Sequence, residues 1–198
     1  MKPIMLWIAL LSLVVSPTAF AGPVSALRGT WIDDNGRNVT LAQWQGRRYV
    51  ISMSVGGCRK ICTTTMRRME QIQSLADQRG LQLEFIVVSL DPATDTPAEW
   101  REYRKLRGLQ RPNWHFLGGD AVSTRQLANM LGIRYWSYDD HVLHDFRIAL
   151  VGASGSIERT LQWSDDDPSV LLAGLESNRQ SRSPVSERDH RRELSPAG

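Results

Sequence analysis

The chain has only two cysteines, four positions apart, in Val55-Gly-Gly-Cys58-Arg-Lys-Ile-Cys62. They fall between an apolar segment, Tyr49–Val55, and a helix-like run, Thr64–Arg79. A strand that delivers Cys-x-x-x-Cys onto the first turn of a helix has a definite chemical character. Residues four apart on a helix face the same way, with Cβ atoms roughly 5–6 Å apart. Both sulfurs can then grip one metal ion, and a small adjustment joins them as a disulfide. The unpaired N–H groups and positive dipole end of the helix favour thiolate over thiol. Thiolate is the form that binds metal or attacks a disulfide. The plainer alternative is a passive staple or an inert reduced pair. A bridge closing so short a loop restrains the unfolded chain very little, so stability is a poor reason for the pair.

The elements that must position this motif follow from periodicity and turn chemistry. Gly29–Leu41 carries Asn35-Gly36 between two β-prone runs, a hairpin signal. Arg48–Val55 reads as a buried strand, and Leu83–Leu90 as a central strand covered on both faces. The helix after the cysteines places Met66, Met69, Ile72 and Leu75 or Ala76 on one face and stops at Gly80. Its methionines, like Met53 in the strand before it, read as core packing rather than soft metal ligands. Thr96-Pro97-Ala-Glu99 supplies an N-cap, a first-turn proline and a capping-box glutamate. The helix it opens runs to about Leu106, with Trp100, Tyr103 and Leu106 inward. A short strand, Asn113–Leu117, holds His115 as a core-edge histidine, and a helix over Val122–Leu131 ends at Gly132. Arg147–Val151 and Ser156–Leu161 form a late hairpin, and Asp167-Pro168 starts a last helix through about Glu176. The order β-β, βαβαβα, β-β-α predicts one α/β domain of thioredoxin type, an N-terminal β-hairpin beside a central mixed sheet flanked by helices. Active groups in such sheets sit at the carboxyl ends of strands.

Both ends fall outside the domain, which spans 22–177. Residues 1–21 combine Lys2, an apolar run from Ile4 to Val15 and Ala19-Phe20-Ala21, the pattern of a secretory signal peptide. Pro17 interrupts the run before it could span a membrane, so no stable anchor is expected after cleavage. Residues 178–198 are rich in Arg, Ser, Glu and Pro and predict a disordered polar tail, in which His190 is incidental. The formal charge of +3 falls by one with Lys2, because the first 21 residues hold no acid. So small a surplus, spread along 198 residues, argues against nucleic-acid binding. Export permits a disulfide, yet one pair is a poor framework for a chain of this length.

At this point the sequence resembles the Sco/SenC group of thioredoxin-fold copper proteins. The likeness covers roughly residues 25–177. Its anchors are Cys58-x-x-x-Cys62, Val88-Ser-Leu-Asp91-Pro-Ala-Thr-Asp95-Thr-Pro97, Trp114 with Leu117-Gly118, Ile133-x-Tyr135, and His144 eleven residues ahead of Gly155. The resemblance implies copper, Cu(I) or Cu(II), held by Cys58, Cys62 and His144. Two thiolates and an imidazole suit that metal. His141 is a rival to His144, but the spacing of His144 to the Gly155 turn matches the family. Asp140 or Asp145 could orient the imidazole, although ordinary solvated loop charges are the simpler reading; Asp91 and Asp95 read as structural caps beside the site. The chain departs from the family pattern at Thr63, where proline is usual, at Met53 and Val55, where aromatics are, and at Leu143, where an aspartate precedes the ligand histidine.

The resemblance implies a monomeric periplasmic metallochaperone delivering copper to an enzyme subunit, such as the copper A site of cytochrome c oxidase, and perhaps reducing its cysteines. The alternative is a periplasmic thiol–disulfide oxidoreductase in which Cys58 attacks and Cys62 resolves. Enzymes of that kind on this fold carry Cys-x-x-Cys and a nearby cis-proline, and here the spacing is longer and His144 stands where the proline would be. A peroxidase reading is weaker still, because it needs an Arg and a Thr or Ser arranged about a low-pKa cysteine. A third reading is a copper- or disulfide-sensing interaction module, with some of the seven tryptophans as anchors.

Overall fold

The computed structural model describes residues 22–56, 62–139 and 141–175. The signal and tail segments, Cys58 and Asp140 therefore lie outside the described residues. In chain order the elements are β1 (Trp31–Asp33), β2 (Asn38–Val39), β3 (Tyr49–Ser54), α1 (Cys62–Gln78), β4 (Glu84–Ser89), α2 (Pro97–Arg107), β5 (Trp114–Gly119), α3 (Ala121–Leu131), β6 (Tyr135–Tyr138), β7 (His141–His144), β8 (Ile148–Val151) and β9 (Ile157–Leu161). Short 3-10 turns cover Val24–Ala26, Leu41–Trp44 and Pro168–Leu172.

One seven-stranded sheet runs β2-β1-β5-β4-β3-β8-β9, and β6 with β7 forms a separate two-stranded ribbon. β3, β4 and β5 are parallel, with Ser54 opposite Ser89 and Val88 opposite Leu117. β8 runs antiparallel to β3 and β9 antiparallel to β8. The mixed sheet with helices on both faces is the predicted thioredoxin-like architecture, and the first hairpin turns at Gly36 with φ of 80° as Asn-Gly requires.

Strand alternation sorts the core into two layers. Tyr49, Ile51, Met53 and Val55 of the β3 segment join Ile86, Val88, Leu117, Leu127 and Leu131 on the α3 side. Val50, Phe85, Val87, Trp114 and Phe116 meet Met66, Met69, Ile72, Ala76 and Trp100 on the side covered by α1 and α2. The methionines are thus packing residues. Four tryptophans, Trp31, Trp44, Trp100 and Trp114, are buried, whereas Trp136 and Trp163 are exposed. His115 sits at the start of β5, 2.8 Å from Glu84 and 5.1 Å from the Trp44 ring, at the edge of the core.

Three local expectations need correction. Leu106 is 77% exposed rather than inward. α2 ends at Gly108 in the left-handed region, and the buried apolar position passes to Leu109 beyond it. The last helix is only a 3-10 turn, Pro168–Leu172, because its end at Ala173 is extended and Gly174 turns left-handed at φ 69°. That turn lets the adjacent Leu171 and Leu172 both bury beside α1. Finally, His141 and His144, placed in no predicted element, lie in a strand, β7.

Candidate metal centre

β3 ends at Ser54 and α1 opens at Cys62, so in the sequence the cysteine motif follows the carboxyl end of the strand. Leu90 N–H donates to the Ser54 carbonyl at 2.9 Å, extending the β3–β4 pairing one step past the strands. Val55 is buried in the α3-side core, Gly56 turns, and Cys62 opens α1. Only Cys62 of the predicted pair is placed, as the first residue of that helix.

The phrase after β4 folds back onto this point. Asp91 N–H donates to Ser89 Oγ, and the Asp91 carbonyl accepts from Thr94 and Asp95 N–H groups, which makes a tight turn. The turn carries the Asp95 side chain inward, where it is 2% exposed. Asp95 Oδ1 accepts the Gly56 N–H at 2.9 Å and Oδ2 accepts the Ser89 hydroxyl at 2.6 Å. Thr96 then caps α2 by accepting Glu99 N–H at 3.3 Å. The carboxylate at 95 is therefore a tie between the cysteine motif and its neighbouring loop. Asp91 contributes only its backbone to the turn's described hydrogen bonds.

His144 comes from the ribbon. Tyr135 pairs with His144, Trp136 with Leu143, Ser137 with Val142 and Tyr138 with His141. Directly opposed residues share a face, so His144 lies with Tyr135, Ser137 and Val142. Tyr135 and Val142 pack against the core cluster that includes Met53 and Val55. His141 lies on the other face with Trp136 and Tyr138, which are 50% and 69% exposed. The core-facing side of the ribbon thus belongs to His144.

Asp145 closes the base of the ribbon. Its carboxylate accepts from Arg134 at Nε (2.8 Å) and Nη2 (3.3 Å), and its N–H donates to the Arg134 carbonyl. The hydrogen bond from the Arg134 guanidinium holds the Asp145 carboxyl below its ordinary range. The Asp145 backbone carbonyl lies 2.9 Å from His144 Nδ1, while the Asp145 carboxylate pairs with Arg134. A carbonyl can only accept, so Nδ1 donates to it. A neutral imidazole with one nitrogen committed to a carbonyl is the usual form of a ligating histidine.

The expected ligands, Cys58, Cys62 and His144, would offer copper two soft sulfurs and one imidazole nitrogen. No group of three or more His, Cys, Asp or Glu side chains that could hold an ion forms among the described residues. Sequence reasoning named Asp95 as a cap but had no signal for its bond to Gly56, which joins residues 39 positions apart. Nor did it find the ribbon.

Known proteins match this arrangement. A candidate copper-binding protein of Stutzerimonas stutzeri is 28% identical over 133 residues, covering 64% of this chain and 63% of that protein, so just under two thirds of the relative's length is spanned. Copper-bound ScoI of Arabidopsis thaliana superposes with a TM-score of 0.65 at 22% identity, over 79% of this chain and 95% of that one. BsSco, a Sco-family cytochrome c oxidase assembly protein described with a disulfide switch, gives 0.66 at 20% identity, over 78% and 94%. These likenesses fix the thioredoxin-type fold. The sequence pattern of one family runs through the whole of it, from before β1 to beyond the last 3-10 turn, and with residues 28–178 matched this chain belongs to the SCO1/SenC family.

Proposed function

We propose that the protein is an exported copper carrier that binds the ion as cargo through Cys58, Cys62 and His144 and passes it to a copper enzyme subunit, such as the copper A site of cytochrome c oxidase. The observation that carries this reading is the placement of His144. It shares a ribbon face with Tyr135 and Val142, which pack on the cluster containing Val55, three residues before Cys58. Its Nδ1 lies 2.9 Å from the Asp145 carbonyl, which orients the ring from that side. Copper-bound relatives of the same fold support the choice of metal.

The chemistry follows from the donors. Thiolates must be deprotonated and reduced to hold metal, so a Cys58–Cys62 disulfide and bound copper exclude each other. Three ligands hold the ion yet leave room for a fourth from the recipient. In the metal-free state the dithiol can give two electrons and two protons to a recipient's disulfide and become a disulfide itself. Residues 1–21 act in this reading as the export signal to the periplasm, 178–198 as a polar tail, and the carrier works as a monomer without a membrane anchor. No helix among the described residues is long and apolar enough to cross a membrane.

The test is copper content and absorption of reduced protein spanning residues 22–198, beside Cys58→Ser and His144→Ala. One retained copper with a thiolate-to-Cu(II) band, lost in both variants, is expected. Undiminished binding in Cys58→Ser would overturn the assignment. No copper in the wild type, together with ready cycling between dithiol and disulfide, would move the function to the oxidoreductase.

A further inference from the structure

Gly56, two residues before Cys58 in the sequence, is held by a side chain from elsewhere in the chain. Gly56 has no room for anything larger: a Cβ there would stand 2.8 Å from Asp95 Oδ1 and 3.2 Å from the Trp100 ring. Trp100 is fully buried behind it, and Ser89, opposite Ser54 in the β3–β4 ladder, bonds the second oxygen of the same carboxylate. One buried carboxylate therefore ties the end of β3 to the end of β4, two residues before Cys58. The Ser54 hydroxyl and the Trp100 indole N–H have no hydrogen-bond partner among the described residues. Neither substitutes for Asp95 in fixing Gly56.

We infer that Asp95 is a positioning residue for the Cys58–Cys62 pair: through the Gly56 N–H it fixes the backbone that leads into the motif and so sets how readily the two sulfurs act together. This rests on the reading of those cysteines as the working pair. A fixed lead-in raises the effective concentration of one sulfur at the other, which favours both closure of the disulfide and joint grip on one ion. Outer partners of metal sites typically matter by about 10–100-fold in affinity.

Two readouts test it, one of them independent of metal. In glutathione buffers, metal-free Asp95→Ala should shift the dithiol–disulfide equilibrium toward dithiol by about tenfold, the scale of one lost hydrogen bond to a charged group. Against a chelating competitor the same variant should retain copper about tenfold less tightly. Asp95→Asn keeps a carbonyl oxygen for the Gly56 N–H and should stay within about threefold of wild type in both. Ser89→Ala loosens the carboxylate without removing it, should shift both in the same direction by about threefold, and decides the matter if Asp95→Ala fails to fold. A folded Asp95→Ala identical to wild type in both readouts would overturn the inference, as would an Asp95→Asn as impaired as the alanine. If the wild type holds no copper, the carrier reading fails while the glutathione equilibrium still tests Asp95.

Discussion

His141 and His144 stand three positions apart in one strand and on opposite faces of the ribbon, opposite Tyr138 and Tyr135 respectively. A helical His-x-x-His could chelate one ion with both rings; a strand separates them. His144→Ala should therefore weaken copper retention by more than the roughly 10–100-fold typical of outer partners, while His141→Ala, exposed on the outer face, should change it by less than about twofold. Competition titration with a Cu(I) chelator reads both. Equal losses would mean that the outer imidazole is a ligand and the face assignment is wrong.

Asp33 governs the first hairpin. Its carboxylate accepts the N–H of Asn35 at 2.9 Å, the N–H of Arg37 at 2.8 Å and Arg37 Nε at 2.8 Å. Burial pushes its pKa up, but the hydrogen bonds and charge of Arg37 and the Asn35 N–H outweigh that and hold it low. A carboxylate whose folded pKa lies below its unfolded one stabilises the fold above roughly pH 4, and that contribution is lost as pH falls through the folded value. Asp33→Ala should cost about 2–3 kcal/mol at pH 7 in urea unfolding. The gap between variant and wild type should narrow below roughly pH 4. A constant gap down to that range would show that ionisation of Asp33 is not what counts.

Gly119 closes β5 directly beneath the Trp31 ring, and an added Cβ would overlap that ring. Trp31 is fully buried and cannot step aside without disturbing the α3-side core. Gly119→Ala is expected to cost about 1–3 kcal/mol by overpacking. Thermal melting measures it, and an unchanged midpoint would mean the β1–β5 pairing has slack.

Among the described residues the ribbon shares no ladder with the seven-stranded sheet. Two strands alone are marginal in water, so amides of Tyr135–Tyr138 and His141–His144 should exchange with deuterium well ahead of those in β3 and β4. Mass-spectrometric exchange of the reduced, metal-free protein tests this. Copper should slow exchange in β7, because a ligand that binds only the ordered form stabilises it. No change on copper addition would argue against His144 as a ligand.

Much of this was legible in the residues themselves. Asn35-Gly36, Thr96-Pro97 and the apolar run before Ser89 each announce their element through local chemistry, and β1 to β5, α1 to α3 and the β8–β9 hairpin follow from such signals. The ribbon did not show because its outer face carries Trp136, Tyr138 and Leu143 where polar residues would mark solvent, which hides the alternation. Gln73 is another miss. Its carbonyl accepts from the Trp114 indole at 3.0 Å and from Asn113 at 2.8 Å, donors that the neighbouring strand brings to it and that no local pattern marks. The bonds of Asp95 belong to the same class: partners distant in sequence leave no periodic trace. The ligand residues were named from a family likeness, and the fold then explained why His144 and not His141 faces the core.

The Val24 N–H donates to the Gly155 carbonyl at 2.7 Å, and Val24 itself is buried in the α3-side core. The two residues are separated by 131 positions, from 24 to 155. Contacts of such long span are made late, after most of the chain is available. Gly155 accepts the bond in a left-handed turn, φ 83°, where a side chain would also strike Ser25. A chain threaded across a membrane with its beginning first must therefore hold that beginning unpaired until the β8–β9 turn has followed it through. In the export proposed above, the domain would close only once both ends of that bond stand on the same side of the membrane.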